Sequence, residues 1–358
     1  MIIKVMEKRI DLNRVGQSID SWDVPFPVFV PHGHTVNQMA AGTLTRFSGN
    51  PVLKPIKEHQ WESKYVLNAA TIGLDGKVYM VYRAYGDDEI SRLGLAVSKD
   101  GFNFTERLET PIFEPDHSSE SLGCEDPRLT LLGARVFMTY TAWDGEVPQI
   151  GLASIWVKDF LNYRWKEWQR HGLFLPGVPN KDATLFPEEF NGKVAMLHRI
   201  EPHIWITYSS RRPEQPWPNT GHQIIAKATG GMDWDSKKIG AGAQPIKTKY
   251  GWLMITHGVD HAKVYRLGVM LLDLKNPSKL IYRSPNAILE PVNECELGGD
   301  DQSWVPNVVF TCGAVPRELH KPILDANDEL IVYYGAADTV MSIATAKIGD
   351  LIPEEIRG

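Results

Sequence analysis

Cysteine is scarce in this chain, with three residues in 358: Cys124, Cys295 and Cys312. Their spacing matches no metal-ligand motif, and an odd count gives no closed disulfide framework, so reduced thiols in a reducing compartment are expected. Long apolar runs are missing as well. None approaches the roughly 20 residues that a membrane helix needs. The opening MIIKVMEKRIDLNR holds no apolar stretch of the secretory kind. The expectation is a soluble, cytoplasmic protein. Positive charge is not in excess either. The net charge of −6 argues against a nucleic-acid partner held through its phosphates, yet it leaves room for a local basic pocket that takes a small anion. No Gly-rich phosphate loop, HExxH or GxSxG motif is present. His32, His34, His257 and His261 have no spacing that demands a metal, so no metal site is expected. Helical periodicity is sparse, with weak amphipathic stretches at 61–68 and 353–356.

What the chain does have is a repeat. Residues 75–86 (DGKVYMVYRAYG), 133–145 (GARVFMTYTAWDG), 191–201 (NGKVAMLHRIE) and 250–260 (YGWLMITHGVD) share one template. Each is a turn, about five mostly apolar residues and a polar or aromatic tip. The tips Arg83, Thr141, Arg199 and His257 follow one another at steps of 58 residues. A fifth copy at 328–338 puts Gly335 at the same place after a longer gap. Further short strands are expected after each copy (92–98, 149–155, 204–210, 266–273, 342–347). Others are expected before it (68–72, 126–132, 182–186, 244–248, 307–311), and 101–105 and 163–168 are candidates for outer strands. Three or four antiparallel strands repeated five times predict an all-β, five-bladed β-propeller with an N-terminal extension. A β-sandwich would not explain equal steps. The expected division is an arm at 1–45, the propeller at 46–350 and a tail at 351–358. The arm leaves room for a homo-oligomer, and 283–327 reads as a long functional or interface loop.

In such a scaffold the heads of the first strands converge from distant sequence positions, which is what a rigid site requires. Those heads include Asn68, Asp126 and Asp182. Asp126 stands in GCEDPRLT (123–130) beside Glu125, and alternation along a strand turns only one of these carboxylates toward the axis unless the proline kinks the chain. Taken alone, EDPR is a turn with a salt bridge. At the head of a first strand it reads as a functional acid. Arg83, Arg199, His257 and Lys181 make a cationic set, which implies an anionic ligand, most simply phosphate, unless each pairs with a nearby carboxylate such as Glu201 or Asp182. Eleven tryptophans, Trp304 among them, supply apolar faces. Most suit the core, and one or two suit sugar stacking.

WESKYVLNAA, VYRAYG, GCEDPRLT, FMTYTA, KDATLFP, HRIEPHIWI, GWLMITHGV and YYGAAD occur in this order. The series resembles glycoside hydrolase family 130, the β-mannoside phosphorylases and related mannosidases, from about residue 43 to 347. The resemblance implies a five-bladed propeller that cleaves a β-mannosidic bond with inorganic phosphate as co-substrate, inverting to α-mannose 1-phosphate, with no cofactor. It implies Asp126 as proton donor, acting through a substrate hydroxyl. It further implies Arg128, Lys181, Arg199, His257 and Tyr265 at phosphate, and Asn68, Arg83, Asp182 and Asp338 at the mannosyl residue. Hydrolytic relatives replace the cationic cradle with acidic residues. Arg199 and His257 are present here, which favours a phosphorylase, while Glu201 keeps a hydrolase in view and a non-catalytic carbohydrate-binding propeller ranks last.

Overall fold

The computed structural model describes residues 42–209, 212–299 and 303–358; the expected arm lies outside them up to residue 41. The described chain is mostly β-sheet, arranged as five antiparallel meanders. A two-residue strand, β1 (Thr45–Arg46), precedes them. The first meander is β2 (Tyr65–Leu74), β3 (Lys77–Tyr85), β4 (Ser91–Ser98) and β5 (Phe104–Arg107). The second is β6 (Gly123–Leu132), β7 (Arg135–Trp143), β8 (Gln149–Trp156) and β9 (Gln169–Phe174). The third is β10 (Lys181–Phe190), β11 (Lys193–Ile200), β12 (His203–Tyr208) and β13 (Gln223–Ala226). The fourth has a split leading edge: β14 (Lys238–Ala241) and β15 (Ile246–Lys247) both pair with β16 (Trp252–Val259), which continues to β17 (Tyr265–Leu272) and β18 (Leu280–Arg283). The fifth is β19 (Val309–Pro316), β20 (Glu329–Ala336) and β21 (Val340–Lys347), and β1 completes it by pairing with β21.

Alternation puts successive side chains on opposite faces of a strand, and here both faces are buried. Along β3, Tyr79 and Val81 join an apolar cluster shared with the second meander, while Val78, Met80, Tyr82 and Ala84 join one shared with the fifth. Three more clusters lie between the second and third, third and fourth, and fourth and fifth meanders. Leading strands are also neighbours: β2 beside β6, β6 beside β10, β10 beside β14 and β19 beside β2, while β17 of the fourth meander lies beside β19. A cavity of about 230 Å³ is lined by Ile72, Leu129, Pro187, Gln244 and Val315, which come from all five meanders.

One polar arrangement recurs behind the site. The Tyr82 hydroxyl donates to buried Glu62 at 2.7 Å, and Arg107 pairs with the same carboxylate. Tyr140, Glu120 and Arg170 repeat this, with the hydroxyl bond at 2.8 Å and the ion pair at 3.1 Å. Tyr334, Glu296 and Arg46 repeat it again at 2.8 and 2.7 Å. In the third meander His198 replaces the tyrosine and faces Asn180 and His222.

Local expectations fail at three places. Residues 61–68 are one 3₁₀ turn (Gln60–Glu62) running into β2, not a helix, because both faces of Val66–Asn68 are covered. The outer strand of the second meander is β9 rather than 163–168, where Trp165–Glu167 forms a 3₁₀ turn. The leading edge of the fourth meander begins at Lys238, ahead of the expected 244–248.

Candidate functional site

Three leading strands carry the same backbone irregularity. β2 slips by one residue against β3 between Leu67 and Ala70, β6 against β7 between Glu125 and Arg128, and β10 against β11 between Lys181 and Thr184. Asn68, Asp126 and Asp182 sit in these bulges with φ of +48°, +48° and +54°. Asn and Asp tolerate this left-handed region better than other non-glycine residues. A bulge re-aims side chains, and here it defeats simple alternation. Glu125 and Asp126 both reach Arg83, with Nη2 to Glu125 Oε1 at 2.6 Å and Nη1 to Asp126 Oδ1 at 3.3 Å. The equal steps now have a geometric reason. Each bulge is preceded by a residue that pairs with a tip: Leu67 with Arg83, Glu125 with Thr141, Lys181 with Arg199. In the fourth meander Gly240 pairs with His257.

The acid side of the site centres on Asp126. Asn68 Nδ2 donates to its Oδ1 at 2.9 Å. Burial pushes the Asp126 carboxyl up, but Arg83, Lys181 and Arg128 outweigh this and hold it below the usual carboxylate range. Asp338, also at positive φ (+48°), behaves in the opposite way. Burial, then the charge of Asp126, pushes it up to about 7. Over Arg83 lies the Trp304 ring, 4.9 Å from the guanidinium carbon. Tyr65 and Tyr85 flank that ring at 5.0 and 4.8 Å.

The cationic side centres on Asp182. Its Oδ2 lies 2.6 Å from Arg199 Nη1 and 3.3 Å from His257 Nε2, and its Oδ1 accepts from Arg128 Nη2 at 3.1 Å. Against burial, the Arg199 charge, the His257 contact and the Arg128 charge hold Asp182 well below its ordinary range. Arg128 is engaged on every side: Nη1 donates to the Asp126 carbonyl at 2.9 Å, Nε to the Gly242 carbonyl at 3.2 Å and Nη2 also to the Ala241 carbonyl at 3.1 Å. Burial lowers the His257 pKa, and its Nδ1 is buried without a partner among the described residues. Tyr265 stacks on His257 at 6.4 Å. Lys181 Nζ lies 3.6 Å from Glu125 Oε2, linking the two sides. A Cβ on Gly240 would stand 2.4 Å from His257 Cε1 and 2.5 Å from Asp182 Oδ2, so this position is closed to larger residues.

All ten residues expected from sequence thus meet in one place. Two others belong with them. Lys238 Nζ contacts Glu201 Oε1 at 3.0 Å, and Arg199 Nη2 contacts the same oxygen at 3.3 Å. Phe310 packs 4.4 Å from His257 and under Arg128. Lys238 escaped the sequence reading because β14 lies outside the template. A larger pocket, about 650 Å³ and lined by Lys99, Arg317 and His320, opens at the other end of β2 and β3 by Gly76 and shares none of these groups.

A family profile described as beta-1,4-mannooligosaccharide phosphorylase matches residues 42–353. The chain belongs to glycoside hydrolase family 130. Within the family, a 1,2-beta-oligomannan phosphorylase from Thermoanaerobacter sp. (strain X514) is 41% identical over 319 residues, covering 86% of this chain and 98% of that protein. A beta-1,2-mannobiose phosphorylase from the same organism is 42% identical over 315 residues, covering 84% and 96%. Among solved structures, the beta-1,2-mannobiose phosphorylase of Listeria innocua in complex with beta-1,2-mannobiose matches with a TM-score of 0.72 at 26% identity, over 86% of this chain and 98% of that one. Among the described residues no helix is long and apolar enough to cross a membrane, and no group of three or more His, Cys, Asp or Glu side chains is placed to hold a metal.

Proposed function

We propose that this chain is an inverting β-mannoside phosphorylase that cleaves β-1,2-linked manno-oligosaccharides with inorganic phosphate and releases α-mannose 1-phosphate. The observation that carries this reading is a cluster of cations, Lys181, Arg199 and Lys238, beside a buried carboxylate, Asp126. An inverting hydrolase needs a second carboxylate to activate water, about 6.5–9.5 Å from the acid. Phosphate is itself the nucleophile, so a phosphorolytic site needs one acid and a preorganised cradle instead. The preference for a β-1,2 linkage rests on the two relatives at 41% and 42% identity.

Five meanders, with apolar layers between consecutive ones and a fifth layer between the last and the first, support a five-bladed propeller with the site at one end of its axis. Lys181, Arg199, Lys238, neutral His257 and Tyr265 face the phosphate. Arg128, with its donors already engaged, stands behind them and fixes Asp182 and the Asp126 backbone. Asn68, Arg83 and Asp338 hold the mannosyl residue, and Asp182 keeps Arg199 in place. In the forward direction Asp126 takes up a proton from solvent and passes it to the leaving oxygen through a sugar hydroxyl, which leaves it as the carboxylate. The ionised Asp126 of the unliganded protein is the base that the reverse, synthetic direction requires. No cofactor is called for, and the protein is a soluble, cytoplasmic one.

Incubation with β-1,2- and β-1,4-mannobiose, each with and without phosphate, tests this. Phosphate-dependent mannose 1-phosphate, formed faster from the β-1,2 disaccharide, is expected. Free mannose released without phosphate would replace the reading with a hydrolase, and no turnover of any mannoside would favour a carbohydrate-binding protein.

A further inference from the structure

Glu201 is a largely exposed carboxylate set among the cations of the site, where its charge works against an incoming anion. It stands in the β11–β12 turn, with its side chain 60% exposed, and its Oε1 bridges Arg199 Nη2 and Lys238 Nζ. Burial raises its pKa, but Arg199 and Lys238 outweigh that and keep it ionised. Its placement is not accidental flexibility. The Ile239 amide donates to the Pro202 carbonyl at 3.1 Å and Trp205 Nε1 to the Ile200 carbonyl at 3.0 Å, so the turn and β14 are locked together. A carboxylate fixed among cations that receive an anion repels that anion unless a proton lies between the two.

We infer that Glu201 selects phosphate over sulfate, by accepting a hydrogen bond from the P–OH group that phosphate carries at neutral pH and sulfate lacks. The inference rests on the phosphorolytic reading above. Both anions are tetrahedral and of similar size, and Arg199 and Lys238 alone would hold either. Only the partially protonated one satisfies the cations and the carboxylate together. A fixed carboxylate repels an anion that brings no proton to it, and a site built to hydrogen-bond a hydroxyl discriminates strongly against an analogue without it.

The test is sulfate inhibition of phosphorolysis, measured against phosphate KM in the wild type and in Glu201→Gln, with unfolding midpoints recorded for both. In the wild type the sulfate inhibition constant should far exceed the phosphate KM. In Glu201→Gln, whose amide donates to either anion, the ratio should fall by about 10-fold or more, the usual scale for a hydrogen bond to a charged group. If both anions tighten equally, Glu201 is only a diffuse negative charge and the inference is wrong. If sulfate already inhibits the wild type as well as phosphate binds, it is also wrong. Phosphate-independent turnover in the wild type, lost in Glu201→Gln, would instead make Glu201 a base for water and overturn the phosphorolytic reading along with it.

Discussion

Arg199 Nη1 lies 2.6 Å from Asp182 Oδ2, so one face of the guanidinium is neutralised from inside the protein. Its other nitrogen points to Glu201 and the neighbourhood of Lys238. This division lets a buried arginine, only 5% exposed, pair with an internal carboxylate and still offer a donor to a ligand. Arg199→Ala should therefore raise the phosphate KM by about 10-fold or more, on the scale of a charge-assisted hydrogen bond, while the mannoside KM changes much less. Initial rates with each substrate varied in turn decide it. Equal effects on both constants would move the cradle elsewhere.

Asp338 gives the site its own pH dependence. Because its pKa is raised to about 7, it is neutral below that pH and can donate to a sugar hydroxyl. Above it, Asp338 becomes a second negative charge near Asp126. The mannoside kcat/KM should fall as pH rises through about 7, and Asp338→Asn, which cannot ionise, should lose that limb of the profile while binding mannoside less selectively. An unchanged alkaline limb in Asp338→Asn would assign the titration to another group.

The third meander should make the protein sensitive to acid. Burial holds His198 well below its ordinary pKa and His222 lowers it further; His222 is itself lowered by burial. A histidine whose folded pKa is depressed favours the neutral form. Its contribution to stability is complete above the unfolded value of about 6.5 and is lost as pH falls below it. The thermal midpoint should drop between pH 7 and pH 5, and His198→Gln should flatten that slope. The same slope in both proteins would show that other groups carry it.

The tyrosine arrangement behind the tips can be loaded from either side. Tyr140→Phe removes a hydroxyl from buried Glu120, which should cost about 1–3 kcal/mol. Gly151→Ala would bring a Cβ to 2.3 Å from the Tyr140 ring and should cost about as much through overpacking. Denaturant titration checks both. A neutral Gly151→Ala would mean that the ring has room to move.

The repeat was legible because each tip is set by a hairpin register, and registers of equal length give equal steps in sequence. Asp126 was legible for the same reason, being 58 residues after Asn68. Its backbone was not. A left-handed bulge leaves no periodic trace, so alternation admitted only one of Glu125 and Asp126 toward the axis unless the proline kinked the strand, whereas both reach Arg83. Lys238 was hidden because the fourth leading edge is split and carries glycine, not a polar head, opposite His257. Glu296 looked like part of a functional loop, but it is fully buried as the counter-ion of Arg46, a role set by contacts 250 residues away.

The most direct test of the whole account is the identity of the first sugar product. The wild-type protein, β-1,2-mannobiose and inorganic phosphate should be followed by phosphorus and proton nuclear magnetic resonance, with Asp126→Asn in parallel. The account predicts one α-mannose 1-phosphate for each phosphate consumed, formed as the α anomer from the outset, and no product from a folded Asp126→Asn. Free mannose without loss of phosphate, a β-configured phosphate ester, or full activity in Asp126→Asn would contradict it.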